Sequence, residues 1–270
     1  MEEIDEIFRN IKKKGDRISY KCKYCKDTGF EYDKETNTAK RCRCGLIDTR
    51  LINNRLKFAS IPDTYSGLTL SDYNTNVYKL EKSKKKAVSA MKAIRYWVDN
   101  FYIVSRKGIG LYLYSNAKGS GKTMLAACIA NEIINKGGAS VRFATSIQIL
   151  NEIKATWKNK DESESELLKY LCLTDVLVID DFGTETVKDW MEERIYHLIN
   201  QRYIDKKPTI LTSNYRLSDI KYNDRITNRI NERTYQIPFP EESVRDIIAG
   251  QNMDELADAI INQKTGLAWK

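Results

Sequence analysis

From Val77 onward the chain alternates short, continuously apolar runs with longer stretches whose apolar residues recur every three or four positions. The first kind of segment has the length of a buried strand, the second the period of an amphipathic helix. The pattern predicts helices over about 79–101, 122–135, 146–157, 164–172 and 188–205, and strands at 110–114, 140–144, 175–180 and 208–212. Strands that are apolar at every position belong in a parallel sheet covered by helices on both faces, because neither face is left for water. Repeated βα units of this kind predict an α/β doubly wound fold. The tail, about 216–270, reads as mostly helical with a short segment at Tyr235 to Pro240, and Asn159 to Glu166 reads as a charged loop.

The first sixty residues follow a different pattern. Ile4, Ile7, Phe8 and Ile11 recur at helical spacing, with acidic residues early and lysines late, as the helix dipole favours. This amphipathic helix needs a partner surface, either its own domain or another protein, and the spacing does not decide between them. A second helical stretch, about 47–58, places Leu46, Ile47, Leu51, Ile52, Leu56 and Phe58 on its apolar positions. It ends at Ser60-Ile61-Pro62-Asp63, and the polar residues that follow to Asn76 mark a domain entry. The expected division is therefore an N-terminal domain at 1–59 and a larger domain at 60–270.

Four of the six cysteines, Cys22, Cys25, Cys42 and Cys44, fall within 23 residues. The pattern C-x-x-C, sixteen residues, C-x-C can close a tetrahedral thiolate site, with Thr28-Gly29 and Gly45 supplying the turn after each pair. A structural zinc ion is the reading this supports. A redox C-x-x-C is the rival, but it leaves the second pair unexplained. The only histidine, His197, lies far downstream, so a two-cysteine, two-histidine finger is excluded, and Cys128 and Cys172 read as small buried apolar residues.

The densest chemistry follows the first strand of the larger domain. Leu111 to Tyr114 empties into Ser115-Asn116-Ala117-Lys118-Gly119-Ser120-Gly121-Lys122-Thr123, a Gly-rich turn ending in Gly-Lys-Thr. Such a turn aims backbone N–H groups at a phosphate, its lysine reaches the β/γ-phosphates, and its threonine hydroxyl can hold Mg²⁺. The helix expected from Lys122 points its positive end at the same place. Asn116 stands where the pattern has a first glycine; asparagine tolerates positive φ, so the turn is still expected to form. Downstream, Val176 to Ile179 delivers Asp180 and Asp181 at a strand end, where ligands of open α/β sheets bind. Asp180 suits the Mg²⁺ shell and Asp181 the orientation of an attacking water. Asn214 follows another apolar strand and can bond a γ-phosphate or that water. Arg225, Arg229 and Arg233 fall at i, i+4 and i+8 on one helical stripe. The stripe is either a solvated basic face or the source of an arginine that reaches a neighbouring subunit's phosphate.

Composition changes this picture in one respect. With 41% apolar and 30% charged residues the chain has the make-up of an ordinary soluble protein, but it carries a net charge of +8. The basic residues cluster at Lys12 to Lys14, Lys21 to Arg43, Lys82 to Lys86 and Arg225 to Arg233, which points to a polyanion such as nucleic acid, with solvated surface lysines as the plainer reading of the 82–86 run. No apolar run approaches the ~20 residues of a membrane span, and Met-Glu-Glu-Ile-Asp-Glu is no signal peptide, so a cytoplasmic protein without membrane contact is expected.

Taken in order, these motifs resemble the AAA+ ATPases of the DnaC/DnaI helicase-loader family, including their phage and prophage versions. The resemblance runs through Cys22-x-x-Cys25-x-Asp27-Thr28-Gly29, the Ile61-Pro62 entry, Asn116 to Thr123 as Walker A, Asp180-Asp181 as Walker B and Asn214 as sensor 1. It extends to Arg229 in the arginine-finger segment and Arg245 as sensor 2. It implies an AAA+ P-loop NTPase core preceded by a small helical, zinc-binding domain that docks on the helicase. It further implies ATP, Mg²⁺ and Zn²⁺ as cofactors, nucleotide contacts from Asn116 through Met124 and from Arg245, and catalysis by Lys122, Asp180, Asp181, Asn214 and Arg229. The partners implied are the replicative hexameric DNA helicase, single-stranded DNA and further copies of the chain. Two alternatives share the core: a transposition helper of the IstB type acting on double-stranded DNA, and a non-hydrolysing adaptor, against which the intact Lys122, Thr123, Asp180 and Asp181 argue.

Overall fold

The structure, a computed structural model, describes residues 20–264 apart from 34, 35, 37, 137 and 158–162. The helix expected over 1–14 lies outside the described residues, as do Asn159 to Glu162 of the expected charged loop. The chain divides into two compact units between Asn53 and Asn54. That point lies ahead of the Ser60-Pro62 break, inside helix α1, Leu46–Ala59.

The first unit is built on a two-stranded antiparallel ribbon, β1 (Phe30–Asp33) against β2 (Thr38–Arg41), in register from Phe30 opposite Arg41 to Asp33 opposite Thr38. The helical pattern at 47–58 predicts α1 but not this ribbon. Its strands are polar and almost wholly exposed, so no apolar run announces them. Gly29 enters the ribbon at φ +84°, where a Cβ would stand 2.6 Å from the Ile47 side chain.

In the second unit a single helix expected over 79–101 is two. Helix α2, Glu81–Asp99, buries Ala87, Ala90, Met91, Ile94, Trp97 and Val98 along one stripe. It ends at Asn100, whose N–H makes the last helical bond to the Tyr96 carbonyl (3.0 Å) while its side-chain Nδ2 donates to the same oxygen (2.8 Å), a side-chain cap on the final turn. Helix α3, Phe101–Arg106, then restarts on the Asn100 carbonyl.

Five parallel strands form the sheet: β3 (Gly110–Tyr114), β4 (Val141–Thr145), β5 (Val176–Asp180), β6 (Thr209–Ser213) and β7 (Thr234–Pro238), in the order β4-β5-β6-β3-β7. Four match the apolar runs to within a residue. The fifth is the short segment expected at 235–240, which joins the sheet as its edge beside β3, Tyr114 opposite Pro238. Only Ile237 of β7 is buried, so its sequence lacks the signal of a covered strand. Gly110 is required at the start of β3, since a Cβ there would lie 1.9 Å from the Thr209 carbonyl oxygen.

Helices α4 (Lys122–Lys136), α5 (Ser146–Thr156), α6 (Glu164–Leu173), α7 (Asp189–Ile204), α8 (Asp224–Arg233) and α9 (Arg245–Lys264) complete the unit. Glu164 to Glu166, where the expected charged loop and the expected helix over 164–172 overlap, form the acidic first turn of α6, where the helix dipole favours them. The core gathers Tyr112, Ile149, Ile153, Leu177, Ile179, Phe182 and Leu198. Arg202 carries a charge into the interior. Arg202 of α7 donates from Nε to Thr209 Oγ1 (3.0 Å), from Nη1 to the carbonyls of Leu171 (2.8 Å) and Thr174 (2.8 Å), and from Nη2 to Pro208 O (2.6 Å). Among the described residues, no helix is long and apolar enough to cross a membrane.

Candidate functional site

Because all five strands run the same way, Tyr114, Asp180 and Ser213 reach the same, carboxyl-terminal end of the sheet, and the chain leaving β3 there forms the Gly-rich turn. Gly119 and Gly121 take φ +75° and +85°, a conformation L side chains rarely adopt; a Cβ on Gly119 would meet Arg245 Cγ at 2.8 Å, and one on Gly121 would crowd the Tyr73 ring at 3.1 Å. Asn116 does not use the tolerance for positive φ that the sequence suggested; the non-glycine residues in that region are Lys26, Asp27, Ser60, Asp181 and Lys206 among those described. The turn's entry is instead fixed by side chains. The Ala117 N–H donates to Ser115 Oγ and to the Glu241 carboxylate, each at 3.1 Å.

Lys122 is buried, with Nζ donating to Ser115 O (3.3 Å), Ala117 O (3.1 Å) and Ser120 Oγ (3.2 Å). Burial lowers its pKa, against the carboxylates of Asp181, Glu241 and Asp180, which favour the ammonium. Thr123, one residue on, donates its hydroxyl to Asp180 Oδ1 at 3.0 Å. The same oxygen accepts from Thr212 Oγ1 at 2.5 Å. Burial is the largest influence on Asp180 and raises its pKa; the two hydroxyls oppose it, and the charge of Asp181 adds to it. Asp181 itself stands at φ +54°, its N–H on Thr212 Oγ1 (3.0 Å) and its carbonyl accepting from Ser146 Oγ (3.2 Å) and Thr184 Oγ1 (2.9 Å).

These groups surround a cavity of about 450 Å³ lined by Lys118 to Met124, Asp181, Asn214 and Arg245. Three expected site residues stand off it: Asn116 and Ala117 at the turn's entry, and Asp180, which reaches it through Thr123. Arg229 is also elsewhere, on α8, with Nε on Asn200 Oδ1 (2.7 Å), Nη1 on Arg225 O (2.8 Å) and the guanidinium 5.0 Å from the Tyr196 ring. A larger groove of about 960 Å³ runs past Cys172 and His197 and holds none of the site residues.

The sequence reading missed two supports of the turn. Tyr78, buried, donates to the Ser120 carbonyl (2.8 Å) and pairs with Tyr73 (2.5 Å). The segment between β7 and α9 is stitched to the turn as well, through Val244 N–H on Gly119 O (3.0 Å) and through Glu241. The next residue, Glu242, accepts instead from Lys79 N (2.7 Å) and Leu80 N (3.2 Å) ahead of α2. The Glu-Glu-Ser-Val-Arg run was the available signal, but its acids acquire a role only once β7 places them beside β3.

In the first unit, the Sγ atoms of Cys22, Cys25, Cys42 and Cys44 all lie within 4.8 Å of one another. The Cys22–Cys42 and Cys25–Cys44 pairs stand 3.7 and 3.6 Å apart. A tetrahedron of thiolates at about 2.3 Å from zinc has edges of roughly 3.8 Å, so the four cysteines fit that ion. Backbone N–H groups of Cys25 and Tyr24 lower the Cys22 thiol to about 7, whereas Cys42, against a backbone bond from Cys44, is held up by the Glu31 carboxylate and by burial.

Comparison with known proteins agrees with this geometry. Residues 43–245 match the family model described as IstB-like ATP binding protein. The replicative helicase loader DnaC of Escherichia coli K12 is 28% identical over 167 residues, 61% of this chain; the chain spans 66% of that protein's length. The replicative helicase loader DnaI of Bacillus subtilis is 30% identical over 131 residues, 47% of this chain and 40% of that protein. A crystal structure of the DnaC helicase loader superposes with a TM-score of 0.55 at 27% identity, covering 66% of this chain and 99% of that one.

Proposed function

Since the chain belongs to the IstB-like ATP-binding family, we propose that it is an ATPase that loads a replicative DNA helicase onto single-stranded DNA in the cytoplasm. The observation that carries the nucleotide part is the Thr123–Asp180 hydrogen bond, which ties the Gly-rich turn to a strand-end carboxylate beneath the 450 Å³ cavity. In this reading the N–H groups of the turn, from Gly119 to Met124, bind the phosphates, and Lys122 places its ammonium on the β/γ-phosphates. Thr123 and Asp180 would hold magnesium, which when bound neutralises charge on the triphosphate. Asp181 orients the attacking water, with its carboxylate aimed by the held backbone at φ +54°. Asn214 and Arg245 contact the γ-phosphate end from the cavity wall.

Hydrolysis completes between copies of the chain, with Arg229 of one acting at the nucleotide of the next. The intramolecular bonds to Asn200 and Tyr196 hold that guanidinium in one orientation on α8. Residues 1–59 form the domain that docks on the helicase. Zinc in that domain is structural: analysis should find about one ion per chain, and chelation should unfold the ribbon and its cysteine turns while the ATPase unit keeps its melting transition. Loss of both transitions together would contradict a separate zinc-dependent unit.

The loader reading is favoured over a transposition helper by the names of the relatives, DnaC and DnaI, and by the cysteine cluster. Incubating the full chain with its host's replicative helicase, ATP and a circular single strand tests it directly. The expected result is ATP-dependent retention of helicase on the circle. Retention that is the same without the chain, or chain that binds only duplex and a transposase, would sink the loader reading.

A further inference from the structure

Between Glu81 and Lys107 the chain carries eight Lys or Arg and only two acids, so this stretch holds six of the net eight positive charges. One of those acids, Asp99, is already paired with Lys136 at 2.8 Å. The stretch is helix α2 followed by α3, and its faces are segregated. Ala87, Ala90, Ile94, Trp97 and Val98 point into the core, while Lys85, Lys92, Arg95 and Tyr96 are exposed to solvent. The two most exposed aromatic side chains among the described residues are here, Tyr102 at 73% and Tyr96 at 69%. Neither is packed as a core ring would be. The Arg106 guanidinium sits 5.7 Å from the Tyr102 ring centre, and Arg95 precedes Tyr96 in the chain.

We propose that the outer face of α2 and α3 is a track for single-stranded nucleic acid, with phosphates on Lys85, Lys92, Arg95 and Arg106 and unpaired bases stacked on Tyr96 and Tyr102. The track lies outside the nucleotide cavity, whose wall contains none of these residues. Basic side chains alone would take any polyanion; the bare rings select one whose bases are free to stack, because a base pair inside a duplex offers no open face. A membrane surface is a poor fit, since the apolar stripe that would enter it is buried against the core. The nineteen residues of α2 span about 28 Å, which matches a site of several nucleotides.

The inference rests on the loader reading for the identity of its ligand, and one experiment separates the two. Anisotropy of a labelled oligothymidylate is titrated with the full chain and with variants at increasing salt. Tyr96→Ala with Tyr102→Ala should weaken binding roughly tenfold or more, whereas Tyr96→Phe with Tyr102→Phe should stay within about twofold, because the stacking ring is kept. Lys92→Ala with Arg95→Ala should flatten the salt dependence by about 0.7 in log–log slope for each phosphate that is no longer neutralised. All four side chains are exposed, so melting temperature and ATP turnover without DNA should not move. Wild-type binding that the alanine variants reproduce, or that duplex or polyglutamate displaces as well as oligothymidylate does, overturns the track and leaves the loader reading standing. No binding by the wild-type chain at any salt brings down both.

Discussion

Lys122→Ala should lower ATP turnover by roughly 100-fold or more, the scale of losing one preorganised charge from a transferring phosphoryl group. Its Nζ already lies on two carbonyls and a hydroxyl of the turn, Ser115 O, Ala117 O and Ser120 Oγ, so the ammonium is positioned before the phosphates are met. Truncation removes the charge from the site and leaves those acceptors without a donor. ATP affinity should fall about tenfold or more, as expected for charge-assisted bonds worth about 1.5–3 kcal/mol each. Single-turnover hydrolysis with labelled ATP, together with equilibrium binding of a fluorescent analogue, checks both effects. An alanine variant that binds ATP as the parent does would show that the phosphates sit elsewhere.

Arg202→Ala should destabilise the second unit by about 3–5 kcal/mol, with a melting temperature lower by roughly 10 °C. The guanidinium is buried without a carboxylate contact; its partners are carbonyls, among them those of Leu171 and Cys172 in the last turn of α6, and the Thr209 hydroxyl. Burial pulls its pKa down to about 10, so it stays charged at neutral pH and draws on the negative end of the α6 dipole. Deletion leaves several buried acceptors with no donor and opens a cavity besides. Arg202→Lys should recover only part of the loss, because one ammonium cannot span the fork from Pro208 to Thr174. Calorimetry of the three proteins decides this. Equal melting temperatures would mean water replaces the fork at no cost.

Arg202 also marks where sequence reading stops. It falls with Ile195, Leu198 and Ile199 on the buried stripe of α7, an arginine in an apolar row, and that anomaly was visible in the spacing. What it binds was not, because Leu171, Thr174 and Pro208 come from chain segments brought together only by the sheet. The same distinction runs through the molecule. Strand β5 declares itself by an unbroken apolar run, β3, β4 and β6 by apolar residues at their centres, and the Gly-rich turn and Asp180 by local residue type. The edge strand β7 and the β1–β2 ribbon are polar and half or wholly exposed, so water and pairing, not composition, decide them. The Tyr73–Tyr78 pair and the Glu241 bond to Ala117 join residues more than forty positions from the turn they support, and no periodicity encodes such pairings.

Glu241 and Glu242 are adjacent, yet one holds the phosphate turn and the other the start of α2. A displacement of this dipeptide therefore works on both ends of the second unit's ligand chemistry at once. Thermodynamic reciprocity then fixes a relation between them: whatever factor nucleotide applies to the retention of a strand along α2, that strand must apply to the retention of nucleotide.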